Sequence, residues 1–286
     1  FSRYLGAMMA RGHSIEYFIE GGRSRTGRLM QPKTGMLAMT VRAYVRKPVR
    51  PVVFVPIYFG YERLVEGRTY IGELSGRPKE KESVIGMLRT LPELRSRFGK
   101  VYVSFGEPLP LDDLLERHVP GWDRQQPVTE DKPAWMSPLC TDLAHQIMTR
   151  INAAACVTPV NLIGTVLLAT PRQRMGEGDL ERQLELYASL LRQAPYSPRV
   201  WVTPLDGQSM IRHCDSLRML YRQSHPLGDI VGMSESTAVL SSYYRNNVLH
   251  LLLMPSLLAS AFLNNTSVRR VDLLRLAGRV YPYVAD

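Results

Sequence analysis

The run Pro51-Val-Val-Phe-Val-Pro-Ile-Tyr58 is almost unbroken in apolar residues. A strand with one wet face alternates apolar and polar side chains, whereas a strand covered on both faces need not. That cover usually comes from helices on either side of a largely parallel sheet. The neighbouring sequence supplies such helices. Thr34 to Lys47 places Leu37, Val41, Tyr44 and Val45 at helical spacing until Pro48 stops the pattern. A further helix is expected from about Ser83 to Phe98, ahead of a third strand candidate, Lys100-Val-Tyr-Val-Ser-Phe105. Upstream, Ser14-Ile-Glu-Tyr-Phe-Ile-Glu20 reads as a buried strand running into a tight loop at Gly21-Gly22. Strands alternating with helices predict an α/β layer with a largely parallel sheet.

After Gly106-Glu-Pro-Leu-Pro110 the character changes, and residues 119–138 carry Pro120, Pro127, Pro133 and Pro138 among polar residues. The expected organisation is therefore an α/β part over 1–118, a Pro-rich linker over 119–138 and a mainly helical part over 139–286. Helices are expected at about Pro138 to Ala155, Asn161 to Leu168, Asp179 to Gln193, Gln208 to Gln223, Ser241 to Asn264 and Ser267 to Leu276. Short β-like runs at Asp229 to Gly232 and Thr237 to Leu240 suggest a hairpin. The most apolar run, Val248 to Phe262, is 15 residues long and contains His250, Pro255, Ser256 and Ser260. A spanning helix needs about 20 residues, so a buried core helix is expected and any membrane association should be peripheral.

Composition narrows the partners. At 286 residues with 45% hydrophobic and 22% charged residues, the chain is an ordinary globular protein. Cys140, Cys156 and Cys214 are far apart and form no Cys-x-x-Cys pair, so reduced thiols are expected and neither a disulfide framework nor a zinc site is indicated. The formal net charge is +10, and residues 1–63 hold 11 Lys and Arg against 3 Asp and Glu. Such a field suits an anionic partner: nucleic acid, a lipid surface or a phosphorylated small molecule. Phe1 to Met9 reads as the interior of an amphipathic helix, and the C-terminal residues end without a cap or polar tail, so sequence is expected to be missing at both ends.

Phe18-Ile-Glu-Gly-Gly-Arg-Ser-Arg-Thr-Gly27 selects among those anions. A hydrophobic segment delivers a carboxylate, two glycines and two arginines into one short loop. Gly21 and Gly22 let backbone N–H groups approach an anion, the guanidinium forks of Arg23 and Arg25 match phosphate oxygens, and Ser24 adds a hydroxyl donor. Glu20 is suited to orienting Arg23 or Arg25, or to accepting a hydrogen bond from a substrate hydroxyl. A solvated basic turn salt-bridged to Glu20 is the structural alternative.

These residues resemble the glycerol-3-phosphate acyltransferases, and most closely the large bacterial membrane-associated members. The third sequence block of that family, Phe-x-Glu-Gly-x-Arg-Ser-Arg, is matched by Phe18, Glu20, Gly21, Arg23, Ser24 and Arg25. The fourth, a Val-Pro-Ile strand end followed by Tyr-Glu, is matched by Val55-Pro56-Ile57 and Tyr61-Glu62. Further similarity runs through Lys79-Glu-Lys-Glu-Ser83, Phe105-Gly-Glu-Pro108 and Tyr243-Tyr-Arg-Asn-Asn247. The resemblance implies a partial acyltransferase α/β domain followed by a mainly helical domain. It further implies glycerol 3-phosphate as acceptor and an acyl-CoA or acyl carrier protein thioester as donor, with no cofactor. Phosphate binding then falls to Arg23, Ser24 and Arg25, with Glu20, Gly21, Gly22, Pro56, Tyr61 and Glu62 supporting. Location on the cytoplasmic face of a bacterial inner membrane, held peripherally at an anionic surface, is implied too. Dihydroxyacetone phosphate is the alternative acceptor.

The family's catalytic block, a His followed after four residues by an Asp, should precede Phe18, and this chain begins too late to hold it; the fragment is expected to be inactive alone. His118 and Asp123 have the same spacing, but among six His and eleven Asp about 0.2 such pairs arise by chance, and they lie after the fourth block. His13 is expected as a surface or structural imidazole, Arg42 and Arg46 on a solvated helix face with contact to lipid headgroups or CoA phosphates as the alternative, and His250 as a hydrogen-bonded core residue. A winged-helix nucleic-acid-binding module in the second half is disfavoured, since Asp179, Glu181 and Glu185 make its candidate reading helix acidic. No nucleic-acid partner is expected.

Overall fold

A computed structural model describes residues 2–22, 24–64, 99–124 and 133–281, with only the backbone given for Ser2 and Arg124. Arg23, the Lys79–Ser83 motif, the helix expected over 83–98 and part of the Pro-rich segment lie outside the described residues. The described part is mixed α/β with a helical C-terminal region.

The chain opens with α1 (Ser2–Ala10), which packs on α2 (Gly35–Arg46). Helix α2 follows its sequence pattern: Leu37, Val41, Tyr44 and Val45 are the buried residues together with Thr40, and Lys47-Pro48 ends the helix. Arg42 is not on a solvated face; it is half-buried, and its charge bears on the buried Cys140 thiol, opposing the rise in pKa that burial causes there. Between the two helices, Ile15, Tyr17 and Ile19 turn inward while Ser14, Glu16 and Phe18 are exposed. That is the side-chain alternation of a strand, but no partner strand pairs with it among the described residues. The pattern fixes which side chains are buried; it cannot supply a backbone partner.

The apolar run at 51–58 divides at Pro56 into β1 (Val53–Phe54) and β2 (Ile57–Tyr61), and Pro56 breaks the ladder because it has no N–H to donate. Strand β3 (Val101–Phe105) pairs antiparallel with β2 from Ile57↔Phe105 to Tyr61↔Val101. Strand β4 (Leu109–Pro110) pairs antiparallel with β1. The expected largely parallel sheet and double-sided cover are therefore not found in the described residues. Tyr58 and Gly60 face the interior, whereas Phe59, Tyr61, Val101, Val103 and Phe105 are exposed. Two helices complete this part. Leu111, Leu114 and Leu115 of α3 (Leu111–His118), and Leu139, Cys140, Leu143, Ala144 and Ile147 of α4 (Met136–Ala153), form one buried cluster with the apolar face of α2.

A second core gathers buried residues from Ala154 onward together with Tyr58 of β2. Strand β5 (Cys156–Val157) leads into α5 (Pro159–Leu168), a helix so apolar that all but its last residue are buried. Thr158 caps it reciprocally with Asn161. Strand β6 (Arg174–Gly176), α6 (Glu177–Gln193), β7 (Trp201–Val202) and α7 (Gly207–Ser216) follow, with β7 parallel to β5. Strand β9 (Ile230–Gly232) lies between β6 and β8 (Tyr221–Gln223), antiparallel to both. No hairpin joins Asp229–Gly232 to Thr237–Leu240. The latter run lies in α8 (Glu235–Ala261), which starts early because the Ser234 side chain accepts the Thr237 N–H. Helix α8 packs along α5, and α9 (Arg270–Val280) ends the described chain. No helix among the described residues is long and apolar enough to cross a membrane.

Candidate functional site

The segment that carries the Gly-Gly-Arg motif is closed at its base. Lys33 N–H donates to Ile19 C=O at 2.8 Å, and Met30 N–H donates to Glu20 Oε2 at 2.7 Å. Glu20 thus pins the far end of the loop. Its half-buried position raises its carboxyl pKa, and the Met30 N–H opposes that rise. Gly21 has φ +64°, a left-handed conformation that glycine adopts without strain, and a Cβ there would come within 2.9 Å of the Lys33 side chain. Gly21 and Gly22 are exposed, Ser24 is half-buried and Arg25 is exposed.

The loop rests on α8, more than 200 positions away in the chain. Asn246 Nδ2 donates to Thr26 C=O at 2.7 Å. Gly27, buried and at φ +77°, fits so closely that a Cβ would lie 2.2 Å from Tyr243 O. The Tyr243 phenol has its pKa raised by burial first, then by Tyr61 and Glu20. Members of both sequence blocks therefore act on one tyrosine of the helical region.

The fourth block enters through β2. Pro56 is buried, and its C=O accepts the Gly106 N–H at 2.8 Å. Tyr61 is 40% exposed, while the next residue, Glu62, is fully buried at 0%. Glu62 Oε2 accepts the Lys100 N–H at 2.8 Å, Oε1 accepts the Tyr102 hydroxyl at 3.2 Å, and His213 Nε2 of α7 stands 3.0 Å from Oε2. That last contact is within ion-pair distance but out of line with the ring N–H. Leu64 N–H donates to the Tyr244 hydroxyl at 3.0 Å. Both blocks are thus tied to the helical region.

Residues 70–286 match the family model described as the glycerol-3-phosphate acyltransferase C-terminal region. The chain belongs to the glycerol-3-phosphate acyltransferase family. Residues 1–60 match a second model, described as acyltransferase. A glycerol-3-phosphate acyltransferase of Xanthomonas axonopodis pv. citri is 52% identical over 284 residues, covering 99% of this chain and 32% of the relative. Those of Pseudomonas aeruginosa and Xylella fastidiosa are each 48% identical over 99% of this chain, covering 34% and 33% of their own lengths. The chain spans about a third of the length of the curated relatives it matches.

In this chain, Glu62 and Tyr61 occupy different environments although they are adjacent. Only Glu62 takes part in the buried network. Its partner His213 is 151 positions away, and nothing in local sequence marks the pair. Tyr243-Tyr-Arg-Asn-Asn247 belongs to the similarity noted in the sequence; its place against Thr26 and Gly27 is what the fold adds. His118 and Asp123 do not form a dyad: His118 Nε2 lies 2.9 Å from Asp142 Oδ2, and that contact, with the Gln146 amide, lowers the Asp142 pKa. His250 is half-buried on α8 and donates through Nε2 to Asn152 C=O at 3.1 Å, as expected of a hydrogen-bonded core histidine. Among the described residues, no three His, Cys, Asp or Glu side chains assemble as a metal site.

Proposed function

We propose that this chain forms the glycerol 3-phosphate site of an acyltransferase that makes the 1-acyl product. The phosphate is received by Arg23, Ser24 and Arg25 in the Glu20–Met30 loop. The observation that carries this reading is a glycine-rich, arginine-bearing loop closed by Glu20 at Met30 and backed by α8, in a chain of this family. Guanidinium forks pair bidentately with phosphate, and a loop held at both ends loses little entropy on binding. Glu20, engaged with Met30, serves as a structural clasp. Pro56, Tyr61 and Glu62 support the acceptor side, with Glu62 acting through its buried network.

The acyl donor is a long-chain acyl-CoA or acyl carrier protein thioester. The proton of the attacking hydroxyl passes to the His of the family's His-x4-Asp block, by the resemblance stated above, while the residues of this chain hold and orient the acceptor. Replacing Arg25 with Ala in the chain extended to the full length of its relatives should raise the glycerol 3-phosphate KM roughly tenfold to hundredfold, the worth of a charge-assisted bond. The acyl-donor KM should stay close to its original value. Unchanged glycerol 3-phosphate kinetics would remove the assignment. Dihydroxyacetone phosphate presents the same phosphate to the same loop, and comparing kcat/KM for the two acceptors separates these readings.

The division into 1–118, 119–138 and 139–286 is retained as the organisation of the sequence. Attachment is proposed to be peripheral, at the cytoplasmic face of a bacterial inner membrane. Supporting it are the basic excess of residues 1–63 and the cleft between α1 and α2, lined by Arg3, Arg46, Lys47 and Arg50. Binding to anionic vesicles should weaken steeply as salt rises, because exposed charges are screened over about 10 Å at 0.1 M. Retention at high salt would argue against a peripheral electrostatic contact.

A further inference from the structure

Helix α8 gives the Glu20–Met30 loop more than a surface to rest on. The Asn246 side-chain amide is engaged at both ends: Nδ2 donates to Thr26 C=O at 2.7 Å, and Oδ1 accepts from Arg245 Nε at 3.2 Å and Nη2 at 3.1 Å. The guanidinium fork therefore sets the orientation in which the amide meets the loop. One residue further on, Gly27 brings its backbone against Tyr243 C=O more closely than any side chain would permit. The guanidinium of Arg245 has no carboxylate partner among the described residues, and the contacts it makes there are to the Asn246 amide.

The helix that carries these groups is itself fixed. Asn161 Nδ2, buried in α5, donates to Tyr244 C=O at 2.7 Å. Gly164 lets the two helices approach so closely that a Cβ there would lie 3.1 Å from Ser241 O. The Tyr244 hydroxyl accepts the Leu64 N–H just after the fourth sequence block. A loop with two left-handed glycines has many alternative conformations when free, and a rigid support that selects one reduces the entropy lost when the ligand binds.

We propose that Asn246 is a positioning residue of the phosphate site. With Arg245 behind it, Asn246 holds Thr26, and through it the adjoining Ser24 and Arg25, in the arrangement that receives the acceptor's phosphate. The helical C-terminal region thereby completes the site. This rests on the reading of Glu20–Met30 as the phosphate loop.

The test is steady-state kinetics of Asn246→Ala, Asn246→Asp, Asn246→Gln and Arg25→Ala in the chain extended to the full length of its relatives. Asn246→Ala should raise the glycerol 3-phosphate KM about five- to tenfold and leave the acyl-donor KM within about twofold, as the loss of one hydrogen bond on the acceptor side requires. Asn246→Asp has the same shape but no donor and a negative charge, so it should raise the acceptor KM further; it carries the comparison if Asn246→Ala does not fold. Asn246→Gln retains the donor and should recover part of the loss. The proposal is overturned if Arg25→Ala raises the acceptor KM while Asn246→Ala and Asn246→Asp do not, or if these variants raise both KM values together. If Arg25→Ala itself changes nothing, the phosphate-loop reading fails and the positioning role fails with it.

Discussion

His250 shows how one side chain can be legible in sequence while its consequence needs the fold. Its apolar neighbours mark it as a core residue; that it donates to Asn152 C=O and meets Tyr196 edge-on at 5.5 Å is visible only in the packed chain. Burial lowers its pKa from the ordinary 6.5, and the Asn152 contact opposes that shift. As the pH falls, the unfolded chain takes up this proton before the folded one does. The associated stability is therefore complete above about pH 6.5 and declines below it, until the folded imidazole itself protonates. Denaturant unfolding across this range should show stability falling with decreasing pH, and His250→Gln should flatten that slope; an unchanged slope would contradict the assignment. For the loop motif the sequence carries an expectation only: glycine, arginine and serine at that density suit an anion. The spacing of His118 and Asp123 was misleading in form, because the helix ending at His118 presents the imidazole to Asp142.

At the scale of elements, the sequence showed helices better than strand partners. Leu37, Val41, Tyr44 and Val45 of α2 repeat within the helix that they define, so local pattern and burial agree. The run at 51–58 hides a period-two burial in its apolar composition: Val53 and Val55 are exposed, while Val52 and Phe54 are half-buried. Antiparallel pairing with β3 depends on a chain reversal that no residue within β2 encodes. The end of β2 also carries the tie to α7, where the fully buried Glu62 carboxylate meets Lys100 N–H, the Tyr102 hydroxyl and His213. Removing the Glu62 carboxylate takes the acceptor from the part-buried Lys100 N–H and Tyr102 hydroxyl. Glu62→Ala should therefore cost about 2–3 kcal/mol in unfolding free energy, and Glu62→Gln, which keeps the shape and one acceptor, should cost less. Equal, small losses in both variants, measured by urea denaturation, would show that the network does not tie β2 to α7.

For the whole molecule, the account joins two regions that sequence patterning separated. The acyltransferase match over 1–60 meets the C-terminal-region match over 70–286 where α8 supports Thr26 and Gly27, and α7 reaches Glu62, which lies between the two matched ranges. The two buried clusters divide near Ala154, so α4, placed by its sequence with the helical part, packs its apolar face on α2 and α3. A Pro-rich segment marks a change in composition; which core receives the next helix is decided by shape complementarity between distant residues. The central claim is that the Glu20–Met30 loop, supported by α8, binds the phosphate of the acceptor. Its most direct test is calorimetric titration of the 286-residue chain with glycerol 3-phosphate and with glycerol, repeated on Arg25→Ala. The account predicts saturable binding of glycerol 3-phosphate, none of glycerol, and loss of the signal in Arg25→Ala; equal behaviour of the two ligands, or undiminished binding by Arg25→Ala, would contradict it.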